Sequence, residues 1–138
     1  MIGGYLLDTC AAIWLANGDP MTEAMRSELE SAQSKCRPIW VSAITAWEIG
    51  TLAAKGRVLL SMPVETWFQK LISLPGIQLA ELSPEVLIRS TALPGSPPND
   101  PADRIIVATA RELGAAIVTR DRLILGYARQ PYVNAITC

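Results

Sequence analysis

The chain contains no histidine. A Ser-His-Asp triad, a His-paired thiol, a His-ligated zinc hydrolase and a two-histidine ribonuclease mechanism all need an imidazole as base, acid or ligand, so each is excluded. Any hydrolytic activity must take its nucleophile from elsewhere. Carboxylates holding a divalent cation are the leading substitute, because the ion lowers the pKa of its own water and no side chain then has to titrate near neutrality. Cysteine is scarce: Cys10, Cys36 and Cys138 are odd in number and form no Cys-x-x-Cys pair. That usage suits a reducing cytosol better than an export route or a zinc site. Cys10 is expected in the core, the other two as incidental. No run approaches the roughly 20 apolar residues that span a bilayer, and the N-terminal "MIGGYLLDT" lacks the basic leader of a signal peptide. A cytoplasmic protein with no membrane association is expected. Positive charge is not in excess either, with 12 basic against 13 acidic residues. Binding to nucleic acid would therefore have to be local or metal-assisted.

What is present is 138 residues, half of them hydrophobic, enough for one domain with a sizeable core, taken as 1–138. There is no internal repeat or low-complexity tract. "GYLLD" suits a buried strand, and "TCAAIWLANG" a helix closed by Asn17 and Gly18. After Pro20, "MTEAMRSELESAQSK" has the mixed charge of a solvated helix. "PIWVS" resembles a second strand, after which Ser42 caps a helix stopped at Gly56. "VETWFQKLISL" is helical, "GIQLAEL" a strand, and "SPEVLIRSTAL" opens with the Ser-Pro start of a helix. The Pro/Gly-rich "PGSPPN" is the clearest loop. Asp100 as N-cap and Pro101 at the first position then begin a helix through Leu113, ended by Gly114, with "AAIVT" and finally "YVNAIT" as strands. The alternation predicts an α/β fold: three layers, α/β/α, around a mainly parallel sheet of four or five strands.

In such sheets ligands gather outside the carboxyl ends of the strands. Asp8 ends the first strand and Asp121 follows "AAIVT". Asp103 lies in the first turn of the helix leading into that strand, and Glu48 in the helix leaving the second. Each has an ordinary reading: Asp8 as a helix cap, Asp103 as a carboxylate at a helix N-terminus, Asp121 as a turn residue. Glu48 is the sharpest anomaly, the only charge between Ile39 and Ala54, on the helical face of Ile44 and Leu52. An unpaired buried carboxylate costs several kcal/mol, on the order of the effective desolvation penalty, so it needs an ion pair to Lys55 or Arg104, a donor network or a cation. Ile106, Val107 and Ala110 follow Asp103 at spacings that turn it inward. Four oxygen ligands without nitrogen or sulfur favour Mg²⁺ or Mn²⁺ over zinc.

The segments "YLLDT", "VSAITAWEIG", "NDPADRIIVATARELG" and "IVTRD", in that order, resemble the four signature segments of PIN-domain ribonucleases, specifically the VapC toxins of toxin–antitoxin pairs. The resemblance spans essentially the whole chain. It implies that Asp8, Glu48, Asp103 and Asp121 form the acidic Mg²⁺ or Mn²⁺ site of an endoribonuclease, Asp8 and Asp103 being the inner ligands. Thr9 and Thr119 would orient ligands or water. Asp100 matches a common family position but is assigned to capping. Arg104 would meet a phosphate or an antitoxin group, or form a surface ion pair. RNA as substrate, a cognate antitoxin that blocks the acids, and toxin homodimers follow from the same resemblance. A receiver-like phosphorylation switch lacks its adjacent acids and positioned lysine here, and a haloacid-type phosphatase lacks a second aspartate where Cys10 stands. The remaining alternative is a catalytically inactive PIN-like scaffold acting as a partner-binding module.

Overall fold

The computed structural model describes residues 3–18 and 22–138. Five strands, β1 (Tyr5–Leu7), β2 (Ile39–Ser42), β3 (Ile77–Ala80), β4 (Ala116–Thr119) and β5 (Asn134–Thr137), form one sheet in the order β3-β2-β1-β4-β5. Every neighbouring pair is parallel. The helices are α1 (Thr9–Asn17), α2 (Glu23–Ser34), α3 (Ala43–Ala54), α4 (Val64–Ile72), α5 (Pro84–Ser90), α6 (Pro101–Leu113) and α7 (Arg122–Ala128). The α/β class, the parallel sheet and the upper of the two expected strand counts are all observed. Residues 20 and 21, where the second helix was expected to begin, lie outside the described residues. Among the described residues no helix is long and apolar enough to cross a membrane.

Both faces of the sheet are covered, and the alternation of side chains along the strands sorts them. Tyr5, Leu7, Ile39, Val41 and Val118 pack with α1, α2, α4 and Ile49 of α3. Leu6 and Ile117 point the other way, onto Ile106, Val107 and Ala110 of α6 and Ile124 and Tyr127 of α7. Leu6, Leu7, Val41, Ile117 and Val118 are wholly buried, and each contributes about 1.5–3 kcal/mol of hydrophobic stabilisation. This explains why the central strands read as continuous apolar runs. Gly4 seats β1: its φ is 88°, and a Cβ there would stand 2.0 Å from the Pro38 carbonyl oxygen, the group to which Tyr5 N–H donates at 3.0 Å.

Helix signals were placed where expected. Ser42, Ser83 and Asp100 cap α3, α5 and α6 with side-chain oxygens, and Gly114 ends α6 at φ 64°. Two expectations fail. Asp121 is not an isolated turn residue; it is the N-cap of α7, a helix the sequence reading did not foresee. Cys10 is exposed while Cys138 is buried, because Cys10 lies in the first turn of α1 on the side facing the cleft, and Cys138 tucks behind β5 against the face of Leu7 and Val118.

Candidate active site

The order β3-β2-β1-β4-β5 reverses direction between β1 and β4, and a parallel sheet opens a crevice at such a point. Two side chains meet there. Asp8 follows the last residue of β1, and its N–H donates to the Val118 carbonyl at 3.1 Å, which sets it beside Thr119 at the end of β4. Asp8 is 7% exposed. Its Oδ1 accepts from the Ala11 N–H at 2.8 Å, capping α1, and its Oδ2 accepts from the Thr119 hydroxyl. The Thr119 oxygen in turn accepts from the Asp121 N–H at 2.9 Å. Asp121 Oδ1 accepts from the Leu123 and Ile124 amides at 2.8 and 3.0 Å. Capping does not take Asp8 or Asp121 out of the crevice: one oxygen of each tethers a helix, and both line the same cavity.

Glu48 reaches the same crevice from α3. No ion pair to Lys55 or Arg104 occurs; among the described residues the ion pair present is Arg89–Glu112. Glu48 Oε1 instead accepts from the Thr9 hydroxyl at 2.5 Å, and Thr45 Oγ1 lies 3.4 Å from Thr9 Oγ1. Asp103 arrives from the first turn of α6, its N–H donating to Asp100 Oδ2 at 3.3 Å. Its own carboxylate accepts no hydrogen bond among the described residues. Arg104, next to it, turns away: its Nε donates to the Pro98 carbonyl at 2.7 Å, bracing the loop before α6, and it does not line the crevice. Tyr127 Oη, donating to the Pro94 carbonyl at 2.6 Å, secures the same loop.

Asp8, Glu48, Asp103 and Asp121 thus line one cavity of about 440 Å³, joined by Thr9, Cys10, Trp14, Leu52, Asp100 and Arg120. The sequence reading assigned Asp100 to capping alone, and it does both. Arg120 was missed. Only its position between Thr119 and Asp121 could have flagged it, since its seat is built from residues distant in the chain.

Five carboxylates against one guanidinium make the cavity strongly negative, and the titration behaviour follows. Burial pushes Asp8 above its ordinary value; the Thr119 and Ala11 hydrogen bonds pull back, and Asp121 adds to the rise. Burial also raises Glu48, with Asp100 and Asp8 contributing and the Thr9 hydrogen bond opposing. Asp103 is pushed up to about 7, first by burial and then by Asp100, Asp121, Glu48 and Asp8. The Cys10 thiol, partly desolvated by the cavity wall and facing the acids, rises to about 11. It stays protonated near neutrality and is no nucleophile.

Like charges held together in this way favour a bound cation, and the donor set is hard oxygen throughout. Among the described residues no three acidic or thiol groups are drawn around one point as a ready cage. Mg²⁺ does not require one: it commonly takes one or two carboxylates and keeps waters in its remaining positions. The residues present fit such an ion.

The chain matches the PIN domain family over residues 5–129. It is 37% identical over 118 residues to ribonuclease VapC22 of Mycobacterium tuberculosis, covering 85% of this chain and 86% of that protein. Its fold is similar to VapBC2 from Rickettsia felis bound to a DNA fragment from its promoter, with a TM-score of 0.68, 17% identity and coverage of 97% of this chain and 98% of that one. It is also similar to a toxin–antitoxin complex from Klebsiella pneumoniae, with a TM-score of 0.62, 22% identity and 96% of each chain covered. At those identities the structural likeness is one of fold. Four acids in the expected order, their meeting at the sheet's switch point and the match over residues 5–129 lead to one conclusion: the chain belongs to the PIN-domain family, among its VapC-type members.

Proposed function

We propose that the protein is a metal-dependent endoribonuclease, the toxin of a toxin–antitoxin pair, acting from 1–138 as one domain. The observation that carries this reading is the gathering of Asp8, Glu48, Asp100, Asp103 and Asp121 in one cavity, where burial and like charge raise the carboxyl pKa values of Asp8, Glu48 and Asp103. Kinship with a VapC ribonuclease makes RNA the substrate. The toxin–antitoxin complex among the structural neighbours supports an antitoxin as partner; that the antitoxin is small and the toxin a homodimer is proposed from the family resemblance.

Asp8 and Asp103 would hold Mg²⁺ or Mn²⁺, with Glu48 and Asp121 completing the acidic ring and Asp100 adding charge. When bound, the ion offsets phosphate charge and makes a water acidic enough to attack the phosphodiester. The remaining work is done by the protein. The Ala11 amide and the Thr119 hydroxyl hold both oxygens of Asp8 in place, leaving one lone-pair direction of each for a ligand. Thr9 fixes the orientation of Glu48, and the first turn of α7 fixes Asp121. Orienting partners of this kind tune metal sites as strongly as ligands do.

The test is incubation of purified protein with total RNA, with Mn²⁺ or with EDTA, followed by mapping of cut ends. Cleavage with Mn²⁺ that EDTA abolishes, and that Asp8→Asn or Asp103→Asn removes without unfolding, is the expected result. Mn²⁺-independent silence of the wild type leaves the scaffold reading in its place.

A further inference from the structure

On the α3 side of the cavity, Glu48 is held by one hydroxyl. Among the described residues it forms no ion pair, and its Oε1 accepts from Thr9. A hydroxyl carries a single proton, so it can hold a carboxylate only while that proton points at it, and some neighbour has to fix the direction. Thr45 stands where such a group is needed. It precedes Glu48 by three residues on α3, hence on the same face and one turn nearer the Ser42 cap, and its Oγ1 lies 3.4 Å from Thr9 Oγ1. We propose that Thr45 is a positioning residue of the acidic site: its hydroxyl donates to Thr9, turns the Thr9 proton onto Glu48, and so holds that carboxylate in the orientation in which it meets a divalent ion. This rests on the metal-dependent reading above.

Proton counting sets the direction of this chain of hydroxyls. An ionised carboxylate only accepts. The Thr9 proton is committed to Glu48 at 2.5 Å, so at the contact with Thr45 the Thr9 oxygen accepts and Thr45 donates. Thr45 is wholly buried, which keeps water from competing for its proton, and among the described residues no buried side-chain oxygen is left without a partner. Thr9 is the partner that satisfies it. At 3.4 Å the bond is long, so it supplies direction more than energy. Both hydroxyls are seated rigidly. Thr9 follows Asp8, which caps α1, and Thr45 lies in the first turn of α3, where Ser42 Oγ accepts from the Ile44 N–H at 3.1 Å. Thr45 does not itself line the cavity, so whatever it does to Glu48 passes through Thr9.

The experiment titrates the purified metal-free protein with Mn²⁺, read by the electron paramagnetic resonance signal of the free ion, alongside thermal melts without metal. Thr45→Val keeps the shape and removes the hydroxyl; it should weaken Mn²⁺ binding about fivefold, and Thr9→Val about tenfold. Thr45→Ser, which restores the hydroxyl, should stay within about twofold of the wild type. Adding Thr45→Val to Thr9→Val should weaken binding no further. It should also recover part of the melting temperature that Thr9→Val loses, because it removes a buried hydroxyl left without an acceptor. An unchanged affinity in Thr45→Val, an equal loss in the Thr9→Val background, no rescue by Thr45→Ser, or a double variant that melts below Thr9→Val overturns the inference. Should Thr45→Val fail to fold, Thr45→Ala is judged by the same outcomes. A wild type that binds no Mn²⁺ would instead remove the metal-dependent reading itself, and this inference with it.

Discussion

The two sides of the acidic cavity are held in different ways. On the side of β1 and β4, Asp8 accepts two hydrogen bonds, Thr119 bridges Asp8 and the Asp121 amide, and Asp121 caps a helix with two more. On the side of α3 and α6, Glu48 accepts one hydroxyl and the Asp103 carboxylate accepts nothing among the described residues. The carboxyl pKa values differ for the same reason: burial and repulsion push Asp103 up to about 7, while the Thr119 and Ala11 hydrogen bonds pull Asp8 back. One side of the site is held by several internal hydrogen bonds; the other has few.

That contrast can be broken from either side. The largest effect should come from neutralising its two centres. Asp8→Asn and Asp103→Asn should each lower cleavage by roughly two orders of magnitude or more, yet thermal melts without metal should separate the two positions. Asp103→Asn should raise the melting temperature, by relief of repulsion, whereas Asp8→Ala should lower stability by about 1 kcal/mol through loss of the α1 cap. A lower melting temperature for Asp103→Asn would contradict the contrast.

Next in size is Thr119→Val. It removes the donor to a buried carboxylate and the acceptor of the Asp121 amide, at a cost of about 1–3 kcal/mol in denaturant unfolding and about 10–100-fold in activity. Thr9→Val should be milder, about tenfold in cleavage at most, because Glu48 is less buried than Asp8 and keeps some access to water. If Thr9→Val proved the more damaging of the two, the built side and the open side would have to be exchanged.

A separate effect is on the pH dependence of stability. Asp103 has a folded pKa of about 7 against an ordinary 3.8. Between those values the folded state binds the proton and the unfolded chain does not, so stability falls as pH rises from about 4 to about 7 and levels off above. Melting of the metal-free protein from pH 5 to 8 should show this decline, and Asp103→Asn should flatten it. Mg²⁺ binds the deprotonated form, so it should raise the melting temperature at pH 8 more than at pH 5.

Much of this was legible in the chain. The β1 and β4 runs, the Ser42 and Asp100 caps and the inward face of α6 are local patterns, and Asp8, Glu48, Asp103 and Asp121 could be placed from them. The failures are equally physical. Helix α7 has seven residues with Gly126 inside, too short for a helical period to stand out from an apolar run. Cys10 and Cys138 exchange burial because solvent access in the first turn of α1 depends on what faces it across the cleft. Glu48 was expected to need a cation, a donor network or an ion pair, but which donor it would find could not be read: Thr9 lies 39 residues away, and its position across the crevice is not written in α3.

The sequence by itself determined that any hydrolytic chemistry must be imidazole-free and that carboxylates are the groups available for it, because residue types and their periodic spacing state which donors exist and which element carries each. Only the tertiary structure decided which oxygens are already engaged, that the Asp103 carboxylate has no donor among the described residues, and that Arg120 lies over Trp14 in the wall of the same cavity. Those are through-space relations, set by packing between segments as distant as α1 and β5, and charge interactions depend on separation in space whatever the separation along the chain.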